Sequence, residues 1–387
     1  MISLQSAENA LKSFYLDAVK DSLDAKTSPL LAKVEHSTEN VYGKDVKKLI
    51  RIGINNAFGV GSETGDLPQS EQSDYAQMTA TLKNLYGTIE ISDKAIRASQ
   101  SNEGAFINLL NGEMESLLRS AKYHVGRMIM GNGVGYLCDF NVAVKGNTII
   151  VNNIAPLQIG MRIRLMSEDM EPLENNVDRV IKKISRADHN VVLSGPAFNE
   201  TGICGYLCIA SDDEELTGAS ALFENATIYG LPEEQYEKIR PVEMYCDEEI
   251  DENQMQTMVD QLEEVSGSAP DLIVCSWGVR RALLKYFKEN GVRMDTVEVE
   301  GGFKALSFNG IPVVADRFCP KGTMYFFNTE NIKLYQLGDW QWMEGDDGKI
   351  LHQIPGKPVY TATLVKYAEL VFERPNSVGR ILNINEA

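Results

Sequence analysis

The feature that most constrains this chain is a pair of alternating runs joined by turn chemistry. Residues 46–60 place Val46, Lys48, Ile50, Ile52 and Ile54 on one side of an extended segment and continue through Ala57-Phe58-Gly59-Val60. The alternation resumes from Ala76 to Ile91, through Met78, Ala80, Leu82 and Tyr86-Gly87-Thr88-Ile89-Glu90-Ile91. Between them, Gly61 to Ser70 is rich in Gly, Ser, Asp and Pro, the residues of turns. Period-two patterning of this kind predicts strands, so 46–91 reads as one long two-stranded hairpin. At ~3.3 Å per residue, arms of about fifteen residues reach roughly 50 Å. A ribbon of that length is not stable alone in water. Its cover must come from elsewhere, and the reading places it on another copy of the chain.

A second segment has the same need. Ser6–Asp24 puts Ala7, Leu11, Phe14, Tyr15, Ala18 and Leu23 on one helical stripe, and Leu30–Val34 adds a short turn after Pro29. A lone amphipathic helix holds only when docked, so this arm must lie against another surface. Beyond the hairpin, Ser92 is expected to cap a short helix to Ala98. A long helix follows over 103–130, about 40 Å at 1.5 Å per residue, stopped by Gly131-Asn132-Gly133.

From about 138 to 210 the texture changes to short strands between turns: Val142–Val144, Thr148–Val151, Met161–Met166, Val177–Ser185, Val191–Ser194 and Gly205–Ala210. Six short strands at this spacing predict a small β-barrel or sandwich inserted into a host fold. Strands are expected next at Ala226–Tyr229 and Tyr236–Tyr245. Asp251, with Gln254 three residues on, then opens a helix to about Val265. A buried strand Leu272–Cys275, a helix from Ser276-Trp277 to Lys288, and a hairpin Phe303–Phe308/Ile311–Ala315 turning at Asn309-Gly310 follow. Thr323–Phe327, Ile332–Gln336 and Val359–Phe372 complete the strands. No repeat of 20 to 50 residues is visible.

Charge narrows the function. Of 387 residues, 37 are Lys or Arg and 55 Asp or Glu, a formal net charge of -18. Seventeen acids and two bases fall within 211–265, so only -3 lies elsewhere. A nucleic-acid binder that works by displacing counterions needs a basic surface, and so does docking to an anionic membrane. No apolar run reaches the ~18–20 residues of a membrane span, and the first twenty residues hold no signal-peptide core. Cys138, Cys204, Cys208, Cys246, Cys275 and Cys319 are too scattered for a disulfide framework and read as free thiols in a reducing cytoplasm.

No catalytic or metal motif is present. His36 and His189 sit in polar turns, His124 lies mid-helix beside Arg127, and His352 is in a loop; none has a ligand partner at metal spacing. Cys204 and Cys208 lack the second pair a zinc site needs. Asp247–Glu252 has the charge of a calcium loop but Glu252 where the turn requires Gly. Gly59–Gly65 lies at the hairpin tip, and Gly131–Gly135 ends a helix instead of opening one, so neither cradles a nucleotide. The residues predict no cofactor, no metal and no enzyme.

The order of elements itself resembles the major capsid proteins of tailed bacteriophages with the Hong Kong 97 fold. The resemblance rests on Gly65-Asp66-Leu67-Pro68, on Lys83-Asn84-Leu85-Tyr86-Gly87-Thr88-Ile89-Glu90-Ile91-Ser92, and on Phe303 to Asp316. It implies an α+β subunit: an N-arm (1–45), an E-loop hairpin (46–91), a spine helix with part of the peripheral domain (92–137), a β-barrel insertion domain (138–210), an axial domain with its connections (211–355), and peripheral-domain return strands (356–387).

The function implied is a structural shell protein that forms hexamers and pentamers and closes an icosahedral virion capsid around double-stranded DNA it does not specifically recognise. Assembly would take place in the bacterial host cytoplasm, with a separate scaffolding protein, a portal protein, a possible decoration protein, and no cleavage of this subunit. Interface candidates are Phe14, Tyr15, Gly61, Gly65, Leu67, Pro68, Lys83 and Tyr86. Some relatives join an E-loop lysine to a neighbour's asparagine beside a glutamate; Lys83, Asn376 and Glu373 offer those residue types, although a solvated lysine and no crosslink is the expectation. The insert is expected on the outer face. The alternatives are an encapsulin-like shell around protein cargo and, more distantly, a cytoplasmic enzyme.

Overall fold

The computed structural model describes residues 16–25, 27–53, 58, 60, 75–94, 103–173, 177–211, 214–291, 296–299, 302–345 and 348–386. They form two compact units, 127–224 and the remainder of the chain.

The described part of the arm is a helical turn α1 (Leu16–Lys20), a wider turn Asp21–Ala25, and α2 (Pro29–Lys33). Proline at the first helical position costs nothing, because its missing N–H would have no partner there. This segment finds its cover on its own chain. Val19, Leu23 and Leu30 are fully buried, and Lys366, itself only 1% exposed, donates to Asp24 at 3.0 Å. Asp24 also accepts from Trp340 Nε1 at 3.2 Å, and Lys20 pairs with Asp339.

Strands β1 (Glu35–Ser37), β2 (Val41–Tyr42), β3 (Asp45–Arg51), β4 (Tyr75–Thr81) and β5 (Lys83–Ser92) follow. They correct the long hairpin. Among the described residues β3 pairs with β4 from Asp45↔Thr81 to Arg51↔Tyr75. At Leu82, whose N–H donates to Lys44 O, the return run changes sheet, and β5 pairs with a distant strand near the C-terminus. The buried positions Ala76, Met78, Ala80 and Leu82 keep strict alternation across the switch, so periodicity cannot reveal it. Ser92 ends β5 and stands directly before the helical residues Asp93 and Lys94, where a helix start is expected; the rest of the expected helix to Ala98 lies outside the described residues.

Helix α3 (Glu103–Met130) has the predicted bounds. Gly87 on β5 allows its close approach, since a Cβ there would sit 2.9 Å from Leu117 Cδ1.

In the 127–224 unit, β6 (Tyr136–Asn141), β7 (Thr148–Val151), β8 (Arg162–Met166), β9 (Arg179–Ser185), β10 (Asn190–Leu193) and β11 (Cys204–Ile209) close into a barrel in the order β10-β7-β6-β11-β8-β9. Its first strand lies before the predicted Val142–Val144. Leu137, Cys138 and Phe140 are its buried residues, and Val144 is exposed in a connection. Because β6 and β11 are paired, the two ends of the barrel segment are side by side. At Gly205 a Cβ would lie 2.1 Å from Met166 O, so no other residue fits between β11 and β8. Arg127 and Glu215 form a buried, two-pronged ion pair that fastens the segment after the barrel to the last turn of α3.

The remaining strands are β12 (Val242–Tyr245), β13 (Leu272–Cys275), β14 (Thr296–Val299), β15 (Phe303–Phe308), β16 (Ile311–Ala315), β17 (Met324–Phe327), β18 (Ile332–Gln336), β19 (Gln341–Trp342), β20 (His352–Gln353), β21 (Val359–Phe372) and β22 (Gly379–Leu382). Among the described residues, β12-β22-β17-β13-β16-β15-β14 make a mixed sheet, with β12/β22 and β13/β16 parallel. Helices α4 (Glu252–Ser266) and α5 (Trp277–Glu289) share its core through Met258, Leu262, Leu283, Phe287 and Phe326. The predicted cap is present: Gln254 N–H donates to Asp251 Oδ1 at 2.7 Å, and the Gln254 side chain accepts in return. Asn309 and Gly310 have positive φ, as the predicted two-residue turn requires.

Two predicted strands fail. Ala226–Tyr229 is a turn ending with positive φ at Tyr229, and Tyr236 is buried in the short helix Glu233–Glu237, which leaves only Val242–Tyr245 extended. Both runs carry strand-forming aromatics whose burial, not their backbone, explains their presence.

Candidate assembly surface

Around β21 the chain builds a second sheet, with β18, β19 and β20 along one side and β5 along the other. Lys83 opens β5 opposite Ala368, and Tyr86 stands on its exposed face, edge-on to Tyr367 at 6.3 Å. The structure thus makes Tyr86 part of a cross-strand aromatic pair and leaves it 57% exposed. Phe14, Tyr15, Gly61, Gly65, Leu67 and Pro68 lie outside the described residues.

The sheet β2-β3-β4 is the opposite of a sealed element. Its inward positions Val46, Ile50, Ala76, Met78 and Ala80 are buried, but Tyr42, Leu49 and Tyr75 are exposed, Leu49 at 67%. Phe58 and Val60, beyond the end of β3, are fully open.

The three crosslink candidates are not gathered together. Glu373, just past the end of β21, is buried and held by Lys48 Nζ at 2.5 Å and by the Tyr335 hydroxyl at 2.5 Å. Burial, aided by the adjoining carboxylate, raises the Tyr335 hydroxyl pKa, so the phenol stays protonated and donates. Asn376 donates instead to Val265 O at the end of α4. Glu373 and Asn376 do share a cavity of about 680 Å³ with Lys48, Leu49, Arg51, Lys238 and Arg374. Sequence reading missed this cavity, although one signal was visible: Lys48 sits between Val46 and Ile50 on the inward side of the strand, where a charge needs a partner.

Burial pushes the thiols of Cys138, Cys208 and Cys275 up to about 12, which marks them as packing groups. Among the described residues no group of three or more His, Cys, Asp or Glu is placed to hold a metal ion, and no helix is long and apolar enough to cross a membrane.

The architecture defines a class: a mixed α+β subunit with the Hong Kong 97-type fold of tailed-phage capsid proteins, carrying a closed six-stranded barrel. A chain of the cyanophage A-1(L) capsid asymmetric unit superimposes with a TM-score of 0.55 at 12% identity, covering 93% of this chain and 93% of that one. The capsid of a native GTA particle matches at 0.48 and 12% identity over 93% and 91% of the two chains. The SrpI encapsulin of Synechococcus elongatus PCC 7942 matches at 0.45 and 10% identity over 91% and 85%. No protein-family model and no curated protein sequence matches the chain.

Proposed function

We propose that this chain is the structural subunit of a virion shell, assembling through hexamers and pentamers into an icosahedral capsid around packaged double-stranded DNA. The observation that carries the reading is the β2-β3-β4 sheet on a capsid fold: Tyr42, Leu49 and Tyr75 are exposed and left uncovered by the described residues, which suits a subunit completed by its neighbours. The near neutrality of the chain outside 211–265 suits a wall that contains DNA without gripping it. On this reading residues 46–91 act as the E-loop, 103–130 as the spine helix, and the barrel as an insertion domain on the outer face, where it would not meet packed genome. The subunit has no catalytic task. It works with a separate scaffolding protein and a portal, and a decoration protein would have the barrel as its seat. Assembly takes place in the host cytoplasm.

The shell is held without covalent links between subunits. Glu373 is already neutralised by Lys48 and occupied by Tyr335, which supports this. Subunits from boiled particles should run as single-size bands; a ladder of multimers would refute it. Electron microscopy of the purified assembly tests the main reading. DNA-filled particles with one portal vertex are expected, closed shells filled with protein would replace the capsid by a cargo compartment, and a dispersed monomer would refute both.

A further inference from the structure

We infer that the outer face of β8 and β9 on the barrel docks against helix α4 of a second copy of the chain. The inference rests on the shell reading and names one contact within it. Ile163, Arg179 and Ile181 are fully buried, so Arg162 and Lys182, each one residue along, turn outward. Lys183 is exposed as well, because the pairing of β9 with β10 slips there. Val192 stands opposite Lys183 and Leu193 opposite Ile181, which leaves Lys182 unmatched. A bulge of this kind re-aims side chains, and here it presents two consecutive lysines. Arg162, paired with Val180, lies diagonally across from Lys182. Diagonal neighbours are ~7–8 Å apart, close enough for like charges to repel. None of these three cations has an ion pair among the described residues.

Helix α4 carries the opposite imbalance. Glu252, Asp260, Glu263 and Glu264 are exposed acids, and 252–266 holds no lysine or arginine. Asp260 repels Glu263 and Glu264 at the three- and four-residue spacings that bring helical side chains together. Both glutamates also stand in the last turn, at the negative end of the helix dipole, where a base is the favoured residue. No cation among the described residues pairs with either. A helix that keeps acids at that end gains from cations brought from outside, and Arg162, Lys182 and Lys183 supply them. Exposed Val265 would cover exposed Ile159, which adjoins β9 through the bond from Gly160 N–H to Ile181 O at 2.8 Å. Each set of like charges relieves the other on contact. Both sets are exposed among the described residues of one chain, and in a shell the surface nearest at hand is another copy.

Charge reversal and cross-linking test this. Lys182→Glu with Lys183→Glu inverts the barrel side, and Glu263→Lys with Glu264→Lys inverts the helix side; all four residues are exposed. Juxtaposed like charges disfavour association, so each pair alone should lower particle yield by more than about tenfold while the subunit melts no lower than wild type. One chain carrying all four changes should regain wild-type yield. Wild-type yield from either pair alone, or a defect that persists in the fourfold variant, would overturn the contact. Zero-length carbodiimide coupling of wild-type particles, built from equal parts of isotopically light and heavy subunits, then shows whose helix is met. Peptides joining Lys182 or Lys183 to Glu263 or Glu264 should include light–heavy pairs. Single-isotope pairs alone would place the contact within one copy, and lysines coupled to another protein of the particle would give the face to that partner; either result, or no coupling at all, overturns the inference. Wild-type chains that form no shell would sink the shell reading itself, a result distinct from wild-type shells with indifferent variants.

Discussion

The barrel and the β2-β3-β4 sheet are both small β-structures, and they manage their edges in opposite ways. Every barrel strand has two hydrogen-bonded neighbours, and Ile149, Ile163, Ile181 and Val191 are fully buried inside it. Among the described residues the β2-β3-β4 sheet stays open, buries one face, and leaves Tyr42, Leu49 and Tyr75 on the other. Closure satisfies backbone and apolar surface within one chain, whereas an open ribbon passes both needs to a partner. The barrel should therefore behave as a self-sufficient unit and the ribbon as an assembly element.

The largest expected effect breaks the open side. Deleting 61–74 and joining its ends with a short turn leaves the Arg51↔Tyr75 ladder intact. Circular dichroism and melting of the subunit should be nearly unchanged while shells disappear altogether; normal shells from this deletion would remove the ribbon from assembly. The next tests the closed side. Arg127→Ala leaves Glu215 buried without its partner, which costs about 3–5 kcal/mol. Trp277, Trp340 and Trp342 all lie outside the 127–224 unit. Hydrogen exchange in β6 and β11 should rise steeply while tryptophan fluorescence holds steady. A single transition seen by both probes would show that the barrel is not self-sufficient.

The same contrast decides what the sequence revealed. Five of the six barrel strands, α3, the Asp251 cap and the Asn309-Gly310 hairpin were legible, because each is specified by residues close together in the chain. What escaped was partner choice. Nothing local says that the run through Leu82 pairs first with β3 and then with β21, or that the arm finds its cover on Lys366 and Trp340 of its own chain. The cavity was invisible for the same reason, being assembled from Lys48, Lys238 and Arg374, far apart in sequence. Inward charges were the one clue left unread: Lys48 between Val46 and Ile50 pairs with the buried Glu373, and the buried Lys366, within Leu364–Tyr367, pairs with Asp24.

A smaller effect separates the two units by pH. Asp316 is buried and accepts from Ser28 Oγ at 3.1 Å and from Phe318 N–H, which ties the arm to the end of β16. Burial raises its carboxyl from 3.8 to about 6. The folded state then holds this proton more tightly than the unfolded one. Its contribution is complete below pH ~4 and is lost as pH rises through about 6, a change of about 3 kcal/mol. Asp316→Asn should flatten the stability of the tryptophan-bearing unit between pH 4 and 7 and leave exchange in the barrel unchanged. A slope that persists in the variant would assign the pH dependence to another group.

The smallest effect sharpens what exposure means on a strand that is already paired. Tyr86 lies on β5, which β21 holds along its whole length, so removing the ring does not open a ladder. The loss within the subunit is its edge-on contact with Tyr367, worth about 0.5–1.5 kcal/mol. Tyr86→Ala should therefore lower the subunit melting temperature by only a few degrees. If Tyr86 serves its own sheet alone, particle yield will fall no further than that small destabilisation accounts for, and Tyr367→Ala will behave the same way. If Tyr86 is also an interface residue, Tyr86→Ala will depress assembly well beyond Tyr367→Ala at equal subunit stability, because only Tyr86 was exposed enough to be covered by a neighbour. Equal effects of the two substitutions on assembly would strike Tyr86 from the interface and confine the assembly surface on this side to the open ribbon.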